Sequence, residues 1–303
     1  MKFFKYVIIG ILLLIGVVYL LLQTCNIPSD YPVGDFHAIV ISDIHISNDE
    51  TKDQRLMQLI QNINAGDFPG VKFLVANGDI VSRVFSDYTH DNPDTSDSRL
   101  KRAMVLLRQL NIPFYLVMGN HDYKIGPDRD SDGYFSENEI LKMESIWKRE
   151  TGFMPYYKFE FNGWRFILLN SFRGRYLNQH FDADQVGWFQ EILKEKKPTI
   201  LFSHFPIKTD HFKLWCKPKD LIRPENESQF MTILKENKDQ IKAIFVGHGH
   251  RWVHDTLFRT IPVYETDSFG DSDGLPYHII GFDEQTNQIQ VSRSPAIQNK
   301  EVD

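Results

Sequence analysis

The sequence predicts an α/β fold, because apolar runs of strand length alternate with amphipathic helical segments along its first half. The run Val71 to Ala76 is followed by a helical pattern over Ser96 to Leu110, and that pattern is followed by the run Ile112 to Met118. Strands separated by helices in this way favour parallel crossovers in a sheet that is covered on both faces. The first half is therefore expected to form such a sheet.

Similar patterns predict the other elements. His37 to Ile41 is predicted as the first buried strand, and Asp53 to Ala65 as a helix because its apolar residues recur at helical spacing. Tyr156 to Phe161 and Trp164 to Leu169 flank Asn162-Gly163, a pair that suits the positive φ angles of a two-residue hairpin turn. The remaining predictions are helices over Glu137 to Arg149, Phe181 to Lys196 and Glu225 to Asn237, and strands over Thr199 to Phe202, Ile241 to Val246, Ile261 to Glu265, Tyr277 to Phe282 and Ile289 to Arg293.

Composition narrows the class of protein. The 303 residues include 42% hydrophobic and 13% aromatic side chains, which is enough for a substantial core. The net charge of -6 and the pI near 6.0 argue against a general binder of phosphate backbones, so no nucleic-acid partner is expected. Cys25 and Cys216 are too few and too far apart for a disulfide framework or a zinc site. The oligomeric state is left open.

The N-terminal run Tyr6 to Leu22 has no charge and is almost wholly apolar, which predicts one transmembrane helix. Lys2 and Lys5 precede this run and acidic residues follow it, so the N-terminus is expected in the cytoplasm and the rest of the chain outside it. A cleaved signal peptide and lipidation at Cys25 are the alternatives. The predicted organisation is an anchor over residues 1–24, a linker over 25–36, a folded domain over 37–295 and a tail over 296–303.

Five of the apolar runs end in side chains that commonly bind metals, and each set alone would be an ordinary turn or core histidine. The strand ends carry Asp43 and His45, Asp79, Asn120 with His121, His204, and His248 with His250. Side chains two apart point to the same face of an extended strand, so each Asp-x-His or His-x-His pair is expected to hold one ion or two neighbouring ions. Mixed carboxylate, imidazole and amide donors favour Mn, Fe or Zn over Mg or Ca.

In this ordered series the chain resembles the calcineurin-like metallophosphoesterase family, from about His37 to Arg293. The family's Asp-x-His, Gly-Asp, Gly-Asn-His-Asp, His and Gly-His-x-His motifs are all present. The resemblance implies an α/β/β/α sandwich, with two mixed β-sheets flanked by helices and a two-metal centre at the strand ends. It assigns Asp43, His45 and His250 to the first metal, Asn120, His204 and His248 to the second, and Asp79 to both.

The resemblance also implies hydrolysis of a phosphomonoester or phosphodiester by attack of a metal-bridging hydroxide. His121 has no metal in this scheme, and by resemblance it protonates the leaving oxygen or stabilises the phosphate, with Asp122 orienting its ring. Arg173 or Arg175 is a candidate for binding a phosphate oxygen, the alternative being a solvated surface charge. The expected substrate is a phosphorylated small molecule or lipid.

A second pattern predicts a structural Ca²⁺ site. The stretch from Asp128 to Glu139 fits a twelve-residue Ca²⁺ loop with Gly133 at the sharp turn. The candidate ligands are Asp128, Asp130, Asp132, the carbonyl of Tyr134, Ser136 and Glu139. The alternative is an acidic turn in which Ser136 caps the helix that follows it.

Two functions from other classes compete with the enzyme. A phosphoesterase-like scaffold that binds a partner without catalysis would be expected to have lost ligands, and this sequence has lost none. A Ca²⁺-dependent adhesion module would rest on the Asp128 loop alone and would leave the seven metal-ligand positions unexplained. A membrane-anchored, metal-dependent phosphoesterase is therefore the preferred prediction.

Overall fold

The computed structural model describes residues 30–85, 98–124 and 135–294. The predicted membrane anchor, the C-terminal tail from residue 296 and the first seven positions of the Ca²⁺ loop lie outside these ranges. Among the residues described, no helix combines the length and apolar character needed to cross a membrane.

The described chain forms two β-sheets, with helices between the strands. The strands are β1 Phe36–Ile41, β2 Val71–Asn77, β3 Phe114–Val117, β4 Tyr157–Phe161, β5 Trp164–Leu169, β6 Thr199–Ser203, β7 Ile241–Val246, β8 Val253–Leu257, β9 Ile261–Glu265, β10 His278–Asp283 and β11 Gln288–Arg293. The α-helices are α1 Glu50–Ala65, α2 Arg99–Leu107, α3 Glu137–Thr151, α4 Ala183–Ile192, α5 Phe212–Trp215 and α6 Ser228–Glu236.

Both sheets are mixed, as the resemblance implies. The five-stranded sheet has the order β11-β10-β1-β2-β3, in which β1, β2 and β3 are parallel, β10 pairs antiparallel with β1, and β11 pairs antiparallel with β10. The six-stranded sheet has the order β4-β5-β6-β7-β9-β8, in which β5, β6, β7 and β9 are parallel. The parallel crossovers predicted for the first half are confirmed, and each sheet brings the carboxyl ends of several strands to one edge.

The core has two parts, because alternate residues of a strand point to opposite faces of its sheet. Phe36, Phe73 and Phe282 of the first sheet pack with Trp164 and Phe166 of the second in one buried cluster between the sheets. The intervening strand residues belong to a second cluster that they form with the helices. Both faces of the central strands are thus buried, which explains their nearly continuous apolar sequences.

Two elements were not predicted from the sequence. Strand β8 is buried only at its two ends, Val253 and Leu257, and its polar middle at the sheet edge gives no apolar run. The four-residue helix α5 is too short for a helical period to be recognised. Predicted helix ends also moved: α4 begins after Asp182, whose carboxylate caps the helix by accepting the Gln185 N–H, and not at Phe181.

The β4–β5 hairpin is confirmed, with Phe161 opposite Trp164 across the turn. Asn162 has a φ of 44° and Gly163 a φ of 78°, so both turn residues are left-handed, as in the two-residue turn that the sequence predicts.

Replacing Gly163 by Ala is expected to destabilise the protein by about 1 kcal/mol, because an L-residue is strained at this positive φ. For a domain of this size the melting temperature should fall by roughly 2–4 °C in thermal unfolding. Gly187 is the matched control: it lies inside α4, and an added Cβ would meet no atom within 4 Å, so Gly187→Ala should leave the melting temperature unchanged or raise it. Equal shifts in the two variants would contradict the left-handed turn.

Candidate metal centre

The candidate ligands follow the carboxyl ends of five parallel strands. Asp43 and His45 follow β1, Asp79 follows β2, Asn120 follows β3, His204 follows β6, and His248 and His250 follow β7. All but His248 and His250 are buried, although they lie in loops. The two sheets thus deliver these polar side chains to one place from separate parts of the sequence.

The structure brings these side chains together in overlapping groups. Within the described residues, each group has one ligand atom per residue, all within 4.8 Å of one another. The groups are Asp43 with His45 and His250, His45 with Asp79 and His121, and Asp79 with His204 and His248.

The first group surrounds one oxygen of Asp43. Its Oδ1 atom lies 3.3 Å from His250 Nε2 and 3.8 Å from His45 Nε2. The Nε2 atoms of the two histidines are 3.2 Å apart. Two imidazoles and one carboxylate therefore point at a common centre.

A further set of ligand atoms, from Asn120, His204 and His248, lies around the amide oxygen of Asn120. This Oδ1 atom is 3.1 Å from His204 Nε2 and 3.1 Å from His248 Nδ1. The other ring nitrogen of His204, Nδ1, is 3.0 Å from the Asn77 carbonyl oxygen. Because a carbonyl accepts a hydrogen bond, this contact places the proton on Nδ1 and leaves Nε2 to bind a metal.

Asp79 lies between the ligand atoms around Asp43 and those around Asn120. Its Oδ2 atom is 3.2 Å from His204 Nε2 and 3.9 Å from His45 Nε2. Its Oδ1 atom accepts the His121 backbone N–H at 2.7 Å. This hydrogen bond fixes the carboxylate between His45 and His204, and its role as a bridging ligand stays a prediction.

The backbone at these ligands differs from the sequence expectation. The extended conformation expected for the Asp-x-His and His-x-His pairs was wrong, because these residues have positive φ. The φ values are 54° at Asp43, 53° at His45, 51° at Asp79, 74° at His248 and 52° at His250. Such residues cost about 1–3 kcal/mol each and cluster at functional sites. Left-handed turns, and not the alternation of a strand, aim both members of each pair at the site.

Two motif glycines leave room for ligand carboxylates. A Cβ at Gly119 would lie 2.2 Å from Asp79 Oδ1, and one at Gly247 would lie 2.7 Å from Asp43 Oδ2. A larger residue at either position would displace a carboxylate of the site. Gly119 thus makes space for Asp79.

The electrostatics of the site indicate a cation-binding role. Burial raises the pKa of Asp43, but the His204 and His250 rings outweigh this effect and lower it to about 2. Burial lowers the pKa of His204, but Asp79 and Asp43 outweigh it and raise it to about 10. Asp43 Oδ1 is buried and accepts no hydrogen bond within the described residues. An unsatisfied buried carboxylate oxygen among imidazole nitrogens fits a bound divalent ion.

His121 and Asp122 lie at the same edge, but they do not interact as predicted. The His121 ring packs edge-on against His45, with centroids 4.7 Å apart, and its Nδ1 is 2.9 Å from the Ser82 carbonyl oxygen. Asp122 instead accepts backbone N–H groups of Gly119, Ile80 and Val81. The role of Asp122 as orienter of the His121 ring is therefore wrong. Ser82 orients the ring, and Asp122 ties together the loops that follow β2 and β3.

Burial and the nearby Asp79 carboxylate raise the pKa of Asp122 to about 8. The N–H groups of Gly119 and Val81 act in the opposite direction.

The two candidate phosphate-binding arginines are engaged by acidic side chains. Arg173 forms ion pairs with Glu144 and, through Nε at 2.6 Å, with Asp182. Arg175 donates to the Lys219 carbonyl at 3.1 Å and lies 3.8 Å from Asp220. Their phosphate contacts stay predictions.

Only the last two candidate Ca²⁺ ligands are described, and they form a helix cap. The Glu139 carboxylate accepts the Ser136 N–H at 2.9 Å and the Ser136 hydroxyl at 2.8 Å at the start of α3. This is the capping arrangement of the alternative interpretation. A Ca²⁺ site in the loop stays a prediction.

Sequence reasoning missed Asp220 and Asp271. Asp220 Oδ2 lies 3.8 Å from His248 Nε2, and Asp271 Oδ2 lies 3.8 Å from His250 Nδ1. Neither acid belongs to a strand-end motif: Asp220 precedes His248 by 28 residues, and Asp271 follows His250 by 21 residues. No local pattern could have identified them.

The fold and the donor set define a class of α/β proteins with a candidate two-metal centre at the strand ends. This chain belongs to the calcineurin-like phosphoesterase family, whose family model matches residues 36–252. The family predicted from the motifs is thereby confirmed.

Comparisons with individual proteins agree with this assignment. The chain is 24% identical over 159 residues to a probable cyclic nucleotide phosphodiesterase of Synechococcus sp., across 52% of this chain and 54% of that protein. It thus spans about half the length of that relative. A dimetal phosphatase of Danio rerio has a similar structure, with a TM-score of 0.57, 14% identity and coverage of 87% of this chain and 96% of that one. A 5′-nucleotidase of Candida albicans has a TM-score of 0.50 at 15% identity, with coverage of 89% and 52%. At these identities the structural matches show a shared fold.

Adding Mn²⁺ to the metal-stripped protein is expected to raise its melting temperature, because the ion would neutralise Asp43 and Asp79 in their buried positions. Free ion at about 100 times its dissociation constant raises the free energy of unfolding by about 2.7 kcal/mol. For a domain of this size, the melting temperature should then rise by roughly 5–10 °C. Thermal unfolding by circular dichroism measures the shift. The double variant His204→Ala/His250→Ala is the control, and an equal rise in that variant would place the binding elsewhere.

Proposed function

We propose that this protein is a membrane-anchored phosphoesterase that hydrolyses a phosphomonoester or phosphodiester with two divalent ions. The observation that carries the proposal is the convergence of seven side chains from five strand ends into overlapping ligand groups. Family membership and the named relatives support a phosphate ester as the substrate.

The proposed ligand sets are the side chains around Asp43 and those around Asn120. Asp43, His45 and His250 would hold one ion, Asn120, His204 and His248 would hold the other, and Asp79 would contact both. This mixture of oxygen and imidazole nitrogen donors suits Mn, Fe or Zn. When bound, such ions activate a water molecule as the nucleophile and stabilise charge on the phosphoryl oxygens.

His121 is the proposed proton donor to the leaving oxygen. The Ser82 carbonyl occupies Nδ1, so Nε2 is the nitrogen left to face a substrate. Lys124 Nζ lies 3.5 Å from this Nε2 and adds a positive charge beside it. An oxygen that contacts both His121 Nε2 and the Lys124 ammonium would be favoured if it carried negative charge.

The membrane anchor is part of the proposal and rests on the uncharged run from Tyr6 to Leu22. An extracytoplasmic catalytic domain beside a bilayer would have access to lipid-linked phosphates and to extracytoplasmic nucleotides. The cyclic nucleotide activity named for the Synechococcus relative makes a phosphodiester the first substrate to test.

Hydrolysis assays on the full-length protein test the proposal. Carbonate-washed membranes of cells that express it should hydrolyse bis-para-nitrophenyl phosphate, cyclic AMP or para-nitrophenyl phosphate when Mn²⁺ is present. A chelator should abolish the activity and added Mn²⁺ should restore it. Absence of hydrolysis with every metal would refute the enzyme, whereas activity in the soluble fraction alone would refute only the anchor.

His121→Ala is expected to lower kcat by about 10²- to 10⁴-fold, the usual contribution of a general acid. Metal content, measured by inductively coupled plasma mass spectrometry, should stay at the wild-type value, because His121 is outside the proposed ligand sets. His254→Ala is the control, since this half-buried ring stacks on Tyr264 in β9. Loss of bound metal from His121→Ala would contradict the role.

A further inference from the structure

Each histidine of the Gly-His-x-His loop has a carboxylate within 4 Å of the ring nitrogen that does not face Asp43 or Asn120. His248 turns Nδ1 towards Asn120, at 3.1 Å, and Nε2 towards Asp220, at 3.8 Å. His250 turns Nε2 towards Asp43, at 3.3 Å, and Nδ1 towards Asp271, at 3.8 Å. The two rings therefore present opposite nitrogens to the site, and each has an acid behind it.

A cationic side chain from a different element lies within 4 Å of each acid. Lys52, in α1, contacts Asp271 Oδ1 at 2.6 Å. Arg175, in the turn after β5, lies 3.8 Å from Asp220 Oδ1, and its own position is fixed by the Lys219 carbonyl. Asp220 and Asp271 thus have charge partners of their own, and their second oxygen atoms face the histidines.

We propose that Asp220 and Asp271 are positioning residues that fix the ring orientation of His248 and His250, each controlling metal affinity in one half of the centre. The inference rests on the proposed two-metal function. A histidine that binds a metal usually directs its other nitrogen to a carboxylate, carbonyl or water, which fixes the tautomer and makes the metal-binding nitrogen more basic. Loss of such an outer partner costs about 10- to 100-fold in metal affinity.

The different burial of Asp220 and Asp271 predicts that their loss lowers metal affinity to different extents. The Asp220 side chain is 8% exposed, whereas the Asp271 side chain is 43% exposed. Solvent screens the more exposed charge, so its interaction with a ring is weaker. Asp220→Asn is therefore expected to lower metal affinity by about 100-fold, and Asp271→Asn by about 10-fold.

Calorimetric titration of metal-stripped, full-length protein with Mn²⁺ alone tests the assignment. In a His45→Ala background only the set with His204 and His248 stays complete, and there Asp220→Asn should weaken Mn²⁺ binding while Asp271→Asn should not. In a His204→Ala background only the set with His45 and His250 stays complete, and the effects of the two variants should be reversed.

Two exposed acids close in sequence to Asp220 and Asp271 supply matched controls. Asp210 pairs with Lys213 at the surface, and Asp273 lies two residues after Asp271. Asp210→Asn and Asp273→Asn remove the same charge and should leave Mn²⁺ affinity unchanged. Lys52→Gln should reproduce part of the Asp271→Asn effect, and combining the two substitutions should add less than their sum.

The outcomes separate this inference from the proposed function. If wild-type protein binds no Mn²⁺, the two-metal centre itself fails. If it binds two ions and the Asp220 and Asp271 variants match their controls, only the positioning role fails. Complete loss of one ion in Asp271→Asn would make this acid a direct ligand, which its 3.7 Å distance to His45 Nε2 would accommodate, and would overturn its outer role. A lower melting temperature of the metal-free protein with unchanged affinity would also contradict the proposal.

Discussion

The structure depends on one electrostatic constraint, which is the burial of Asp43 and Asp79 beside each other. Both carboxylates are almost inaccessible to solvent. Burial of one unpaired carboxylate is costly, and two neighbouring ones repel each other. In the protein alone, His204 opposes this cost because it lies within 4 Å of both acids. Divalent ions would offset this cost more strongly than His204 does. The two buried carboxylates are therefore unfavourable without cations and well suited to bind them.

The rest of the fold holds these carboxylates and the other ligands in position. Parallel strands in both sheets end at one edge, and the cluster between the sheets fixes their relative position. Left-handed backbone at the ligands and close approach of Gly119 and Gly247 bring the side chains together at a local cost in strain. Backbone hydrogen bonds to Asp122 then hold the loops after β2 and β3 in place. Asp220 and Asp271, each with a cationic side chain from another element within 4 Å, lie beside His248 and His250.

Much of this arrangement could be predicted from the sequence, because the strand-forming runs and the ligand motifs are both local patterns. The backbone at Asp43 could not, since nothing in an Asp-x-His motif distinguishes a left-handed turn from an extended strand. The partners of Asp122 were also inaccessible, because a carboxylate next to a histidine in sequence can turn away from its ring. Asp220 was missed for a different reason: its contact with His248 exists only after the loops have folded. The sequence thus identified the ligand residues, whereas the orientation of their side chains depends on the tertiary structure.

The most direct test of the two-metal centre is a crystal structure of the Mn²⁺-loaded protein with anomalous data collected at the Mn absorption edge. Two anomalous peaks about 3.5–4 Å apart are expected. One peak should lie between Asp43, His45 and His250, the other should contact His204 and His248, and Asp79 should lie between them. A single peak, or two peaks bound by other side chains, would contradict the two-metal centre.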